Sequence, residues 1–600
     1  MSRSAVVCHC LLAIFLTSVV AHSGGATETA SQKAERLRWW REGRFGMFIH
    51  WGPVSLKGTE ISWSRGGERR GIGGKGEIPV EVYDNLYREF NPVLFRSDEW
   101  VAAARTAGMK YMVLTAKHCD GFCLWRSQVD DYCMSNTPSG KDVCGELADA
   151  AHRAGMKIGW YYSPMDWRDP DCRTGRNEIY LKKMRGHLRE LMGNYGRIDL
   201  LWFDYDGGPN PWDQANTYAL VRSLQPGLII DDRLGLGPGE DNVHNRLDEN
   251  SDYRTPEQRV GAFDRDVPWE TCMTIGTQWS WKPADRIKSA GECIRILVQC
   301  VTGDGNLLLD VGPMPDGRIE PRQVDVLKGI GAWLAKYGGS IYGTRGGPFR
   351  NGTWGGATCK GNVIYLHVAN WEKGRLLLPT LDAKIRKYAT LTGGNVRVAQ
   401  KGEGTLLEPE AGSRDETDTI IRLEIDRSAE EMVPLPVRGI NRWEARSVSV
   451  RLRYPAGPQY PAKGVSSLLD GEKGSTDRND GAWLGFEGTD FEALYDLHTP
   501  ARISRVTLGC LQEQVSRVFF PARVEIALAG DDSVFRPAHG IETGTPVEDA
   551  EIRRGEFSVT FEPSLARYLR IRAVNTGVCP PWHPSAGAKA WLLIDETVIE

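Results

Sequence analysis

One recurring unit organises the first 345 residues: an apolar run that stops at acids, glycines or aromatics, followed by a stretch with helical spacing. The runs cover 45–50, 109–118, 156–164, 197–206, 228–233, 269–275, 306–313 and 340–344. Between them, 99–108, 142–155, 178–196, 213–224, 284–301 and 321–337 carry apolar residues three or four apart, as Leu181, Met184, Leu188, Leu191 and Met192 do. Ala-Gly-Met-Lys occurs at 107–110 and again at 154–157, with glycine where a helix must end before a strand begins. Strands buried on both faces read as unbroken apolar runs, and their alternation with helices signals βα units and a parallel sheet. Eight runs predict an α/β fold, a closed (β/α)8 TIM-like barrel over 27–345. No glycine-rich dinucleotide fingerprint follows the first run, which disfavours a doubly wound sheet.

Six hundred residues exceed a single core. From 346 the helical period gives way to alternation at 363–368, 375–378, 388–391 and 419–425, predicting a small antiparallel sandwich over 346–440. A third β-rich unit is expected over 441–600, with strands near 448–452, 491–497, 503–508, 522–528, 556–561 and 568–572, closed by 591–600.

Met1-Ser2-Arg3 precedes an apolar segment at 6–20 and the small residues Val19-Val20-Ala21, the pattern of a secretory signal peptide over 1–26. A secreted or periplasmic protein is therefore expected. That segment is too short to span a bilayer, and no later stretch is long and apolar enough. Two of the 13 cysteines, Cys8 and Cys10, fall in the leader. The rest are scattered without disulfide framework or metal-ligand spacing. The net charge of −4, with both signs interspersed, argues against a nucleic-acid partner. Twenty tryptophans suit a protein that stacks on the apolar faces of sugars.

In a barrel, the carboxyl ends of the strands converge on one face. Those ends supply His50-Trp51, His118-Cys119-Asp120, Tyr161-Tyr162, Trp202 with Asp204, and Asp231-Asp232-Arg233. Loops add Tyr253 through Glu257, then Glu270, Trp279 and Trp281. Asp204 is the acid in which the apolar run Leu-Leu-Trp-Phe ends. With no phosphate loop and no metal-ligand spacing, neither cofactor nor metal is expected. Carboxylates among aromatics, histidines and an arginine form the kit of a glycosidase, in which one acid attacks the anomeric carbon and another protonates the leaving oxygen.

Several spaced motifs resemble glycoside hydrolase family 29, the α-L-fucosidases. They are Arg-Phe-Gly-Met-Phe-Ile-His-Trp-Gly at 44–52, Thr-Ala-Lys-His-Cys-Asp-Gly-Phe at 115–122, the 199–208 segment, Tyr-Arg-Thr-Pro-Glu at 253–257, Pro-Trp-Glu-Thr-Cys at 268–272 and Asn-Leu-Leu-Leu-Asp-Val-Gly-Pro at 306–313. The resemblance covers about 35–345 and extends less strongly into the following sandwich. It implies a retaining, exo-acting enzyme for terminal α-L-fucose on oligosaccharides or glycoconjugates, with Asp204 matching the nucleophile. His50, His118, Trp202 and Arg233 match positions that hold fucose and orient the nucleophile, Tyr162 resembles a further sugar contact, and Glu60 resembles the acid that follows the first strand; Trp281, from the loop after the sixth run, is a further candidate for binding sugar. Glu257 is the choice for acid/base, with Glu270 as competitor. Cys119 stands where the family often has a second histidine, and Tyr205-Asp206 departs from a shorter turn. The last unit resembles discoidin-like carbohydrate-binding sandwiches, with Trp483, Trp582 and His583 as possible stacking groups. Two other readings stay open: a hydrolase for another sugar configuration, such as a galactoside, and a non-catalytic carbohydrate-binding protein.

Overall fold

The computed structural model describes residues 28–600 except 75, 205–210, 236–246, 248–249, 372–373, 403, 438–447, 532–533, 537–538 and 550. The expected leader, the 438–447 segment and Asp206 therefore lie outside the described residues. Seven of the apolar runs form parallel strands: β1 (Phe45–Ile49), β2 (Tyr111–Lys117), β3 (Lys157–Tyr162), β4 (Leu200–Phe203), β5 (Ile229–Ile230), β6 (Glu270–Thr274) and β7 (Asn306–Val311). They lie in the order β5-β4-β3-β2-β1-β7-β6. Helices at Ser97–Thr106, Val143–Arg153, Asn177–Gly193, Gln214–Leu224, Ala290–Thr302 and Pro321–Tyr337 fall where the periodicity predicts them.

The eighth run is not a strand. Gly338–Ser340 forms a 3-10 turn, and Arg345–Gly346 pairs with the next, antiparallel sheet. The gap between β5 and β6 is spanned instead by 253–257. This segment makes parallel bridges from Tyr253 to Asp231, from Arg254 to Trp269 and from Glu257 to Cys272. Its sequence has no apolar run, and Pro256 lacks the N–H that a continuous ladder needs. The sheet is thus curled, with its two edges joined through this segment.

Side-chain alternation divides the strands. Phe48, Val113, Tyr161, Leu200, Trp202, Ile229, Cys272 and Leu308 share one core inside the curl. Met47, Tyr162, Leu201, Phe203, Ile230 and Met273 join the core between sheet and helices. Leu37 and Trp40 of the helix Ala30–Gly43 enter the inner cluster from one end. Gly46 is required beside them: a Cβ there would lie 2.3 Å from the Tyr111 ring.

Next, a five-stranded antiparallel sheet and a three-stranded one share a core that includes Ile364, Leu366, Leu407 and Ile421. The C-terminal unit is a seven-stranded antiparallel sheet. Four of its expected strands fuse into two of 22 residues, Phe491–Gln512 and Arg553–Val574. The His498-Thr499-Pro500 stretch reads as a turn, but the structure absorbs it as an irregularity between Asp496 and Ala501, with His498 at φ 60°. Trp483 is buried and donates to the Asp477 carbonyl, and His583 Nε2 pairs with the Gln514 carbonyl at 2.7 Å. Trp582 packs edge-on against Phe519. Trp483 and His583 therefore serve packing rather than sugar stacking. No described helix is long and apolar enough to cross a membrane.

Candidate active site

At the carboxyl ends of the parallel strands lies a cavity of about 330 Å³, near the lower end of small-molecule sites. Its centre is Arg233. The guanidinium is buried, with Nε on Thr255 Oγ1 at 2.8 Å and Nη2 on the Thr255 carbonyl at 3.1 Å. Nη1 reaches Asp204 Oδ1 at 2.9 Å and Glu257 Oε2 at 2.8 Å. The acids keep 24% and 37% of their side-chain surface against 4% for the arginine, so they are the groups left open to a ligand. The other Asp204 oxygen accepts from the Tyr161 hydroxyl at 2.5 Å.

The planar groups line up in series. His118 stacks on Tyr161 at 5.3 Å, Tyr161 on Trp202 at 5.4 Å, and Arg233 lies 4.3 Å over the Trp202 ring. His118 Nδ1 pairs with Ser62 Oγ at 2.6 Å, and burial pushes its pKa down to about 4. Burial also holds His50 well below its usual range, with Nδ1 on Asp310 Oδ1 at 2.7 Å. Both rings are therefore neutral near pH 7. Since Nδ1 is engaged in each, Nε2 is the nitrogen left for a ligand. Behind Arg233, Asp231 accepts from Phe203 N and Asp232 from Thr255 Oγ1. Burial raises both acids, Asp232 to about 7.

His50, His118, Trp202, Asp204, Arg233 and Glu257 all line the cavity. Four of the sequence candidates lie outside the cavity wall. Tyr162 points the other way, its hydroxyl 3.1 Å from His187 Nδ1 in the outer core. Tyr161, one residue earlier, shares the inward parity of its neighbour Trp202 and takes the position. Glu270 begins β6 rather than ending it and sits two residues below Cys272 on the inward face, roughly 6.6 Å deeper. There it accepts from Tyr111 Oη and Trp40 Nε1, away from the cavity. Glu60 does not line the cavity: its carboxylate accepts from the backbone N–H groups of Ile61, Trp279 and Ser280. Trp281 packs near Gly58 and Gly312, and Trp279 lies in the wall instead.

Cys119 is not part of the wall either. Its Sγ lies 3.2 Å from Ser163 Oγ, and burial raises its thiol far above the usual range. Behind the sheet Cys123, Asp130 and His187 gather closely enough for a metal ion. Lys183 already pairs with that aspartate, however, and Tyr162 engages the histidine.

Two acids held by one guanidinium nitrogen, beside stacked aromatic planes at the ends of parallel strands, define the site of a glycoside hydrolase. A family model described as alpha-L-fucosidase matches residues 14–339, and the chain belongs to that family. It is 29% identical over 390 residues to an alpha-L-fucosidase of Dictyostelium discoideum, covering 59% of this chain and 83% of that one. Among solved structures, alpha-L-fucosidase isoenzyme 1 of Paenibacillus thiaminolyticus is 35% identical with a TM-score of 0.58, covering 66% of this chain and 99% of that one. A family 29 alpha-L-fucosidase from Bacteroides thetaiotaomicron, trapped as a covalent intermediate in complex with 2-fluoro-fucosyl fluoride, is 27% identical with a TM-score of 0.56. There the coverage is 65% of this chain and 96% of that one.

Proposed function

We propose that this protein is a retaining, exo-acting α-L-fucosidase in which Asp204 is the nucleophile and Glu257 the acid/base. The observation that carries the reading is the shared contact of both acids with Arg233 Nη1. Their contacting oxygens are no further apart than those two contacts, 2.9 and 2.8 Å, laid end to end. The shared nitrogen thus keeps the two carboxyl groups close together, which favours a retaining pair, roughly 5–5.5 Å apart, over an inverting one, roughly 6.5–9.5 Å apart. The covalent intermediate of the Bacteroides relative supports the same course.

A terminal fucose enters the cavity, with His50 and His118 offering neutral nitrogens to its hydroxyls. Tyr161 and Arg233 each hold one oxygen of Asp204, so the carboxylate is fixed in position as it attacks the anomeric carbon. Glu257 gives its proton to the leaving oxygen as that bond breaks. It then takes a proton from the water that cleaves the fucosyl ester, which releases Asp204 with the original configuration restored.

We read the curled sheet as a (β/α)8 barrel whose sixth strand is 253–257, a reading supported by the bridges on both of its sides. The apolar 6–20 segment supports export. A panel of aryl glycosides, with the anomer released followed by proton NMR, tests the function. Turnover of the α-L-fucoside with α-fucose as first product is expected; preference for a galactoside, or β-fucose first, overturns it.

A further inference from the structure

The cavity is not built by the parallel-sheet unit alone. Part of its rim comes from the C-terminal sandwich, at Arg478, Glu513, Val515, Ser516 and Ile552. The contact is anchored: Arg259, itself in the cavity wall, forms a buried ion pair with Asp477. Beside it Arg478 Nη1 donates to Glu513 Oε1 at 2.6 Å, again with both side chains buried. The 3-10 turn Gln514–Ser516 is fixed by Gln514 Nε2 on the Val547 carbonyl and by His583 on the Gln514 carbonyl. This rim is held by buried contacts, and its charges pair off.

Glu513 Oε2 is buried and has no hydrogen-bond partner. A carboxylate oxygen in that state is an acceptor waiting for a donor. Next to it Val515 is 77% exposed at the cavity mouth, and Ile552 adds a second apolar surface. One acceptor beside apolar patches, with no net charge, suits the hydroxyl and the C–H face of a neutral sugar.

We propose that this edge of the C-terminal sandwich is the leaving-group subsite, receiving the neutral sugar to which the fucose is attached, with Glu513 accepting one of its hydroxyls. The proposal rests on the fucosidase reading of the pocket and adds to it the part of the substrate that makes the enzyme selective. Selectivity for the aglycone then resides in a unit whose sequence lies some 200 residues beyond the catalytic acids.

The test compares kcat/KM on an activated aryl fucoside with kcat/KM on a fucosylated lactose trisaccharide, in the full chain. Glu513→Gln is expected to lower the trisaccharide-to-aryl ratio by about tenfold, the worth of one good hydrogen bond, chiefly through KM for the trisaccharide. Val515→Trp alters only an exposed side chain and is expected to shift the same ratio by narrowing the mouth, so the test stands even if the first variant fails to fold. Unchanged ratios in the folded variants, with aryl fucoside still cleaved, overturn the subsite alone. A wild-type enzyme inert on aryl fucoside overturns the underlying function and the subsite with it.

Discussion

Asp204 and Glu257 meet on a single nitrogen, Arg233 Nη1. One cation thus fixes the spacing of two acids that arrive from different parts of the sheet, the end of β4 and the segment between β5 and β6. Asp204 has a second partner in the Tyr161 hydroxyl, and both acids keep a face toward the cavity.

The two acids separate in a rescue experiment. Glu257→Gln is expected to lose about 10²- to 10⁴-fold in kcat on a substrate whose leaving group needs protonation, and far less on an activated aryl fucoside. Azide should restore turnover in this variant by displacing Asp204 from the fucosyl ester, giving the α-fucosyl azide. Asp204→Asn should lose at least as much on both substrates. Rescue of Glu270→Gln instead of Glu257→Gln would reverse the assignment.

Arg233→Lys tests the bridge. A lysine cannot hold Asp204, Glu257 and Thr255 together while lying flat on Trp202. We expect kcat/KM on aryl fucoside to fall by about 10²-fold, the order of loss that misplacing a catalytic group by an ångström produces. Wild-type turnover in this variant would contradict the role given to the guanidinium.

Adjacent tyrosines should behave oppositely. Tyr161→Phe removes the 2.5 Å hydrogen bond to Asp204 and is expected to lower kcat with little change in melting temperature. Tyr162→Phe removes a bond to His187 in the outer core and is expected to cost about 1 kcal/mol of stability with kcat unchanged. Denaturant unfolding and steady-state kinetics on the pair decide it.

Glu270 makes a prediction for stability against pH. Burial raises its pKa from 4.5 to about 7 in the folded protein. Between those values the folded state binds the proton that the unfolded chain has lost, so stability falls as pH rises through this window. The full effect is about 3 kcal/mol. Glu270→Gln should be active and should show a flatter denaturation midpoint between about pH 5 and about pH 8. A variant curve parallel to wild type would mean that the carboxyl is ionised in the fold throughout.

Reading the sequence located the strands well and the inward side chains less well. Continuous runs such as Lys-Ile-Gly-Trp-Tyr-Tyr at 157–162 announce a buried strand but not which face each residue takes. Only the pairing of Tyr161 with Trp202 fixes the parity, and Trp202 was already paired in sequence with the acid two places on. That signal was available and favoured Tyr161. Glu270 misleads for a related reason: a strand's residues share a face every second position, so an acid at its start points inward yet lies at the wrong depth. The bridging segment 253–257 carried its acid plainly but not its strand, because a proline-containing polar stretch lacks apolar periodicity. Trp279 and Trp281 differ only in how a loop turns, and the Arg478–Glu513 rim depends on how two units dock. No local pattern encodes either.

Glu60 has a consequence for how this protein can vary. Its carboxylate grips the backbone of the loop that carries Trp279, 219 positions later in the chain. The two loops are therefore one inherited part: a graft that exchanges the loop after β6 for that of a relative must present its backbone N–H groups at the same place, or the Glu60 carboxylate loses its donors and the new loop its clamp. Exchanged together, the pair should travel as a working cassette.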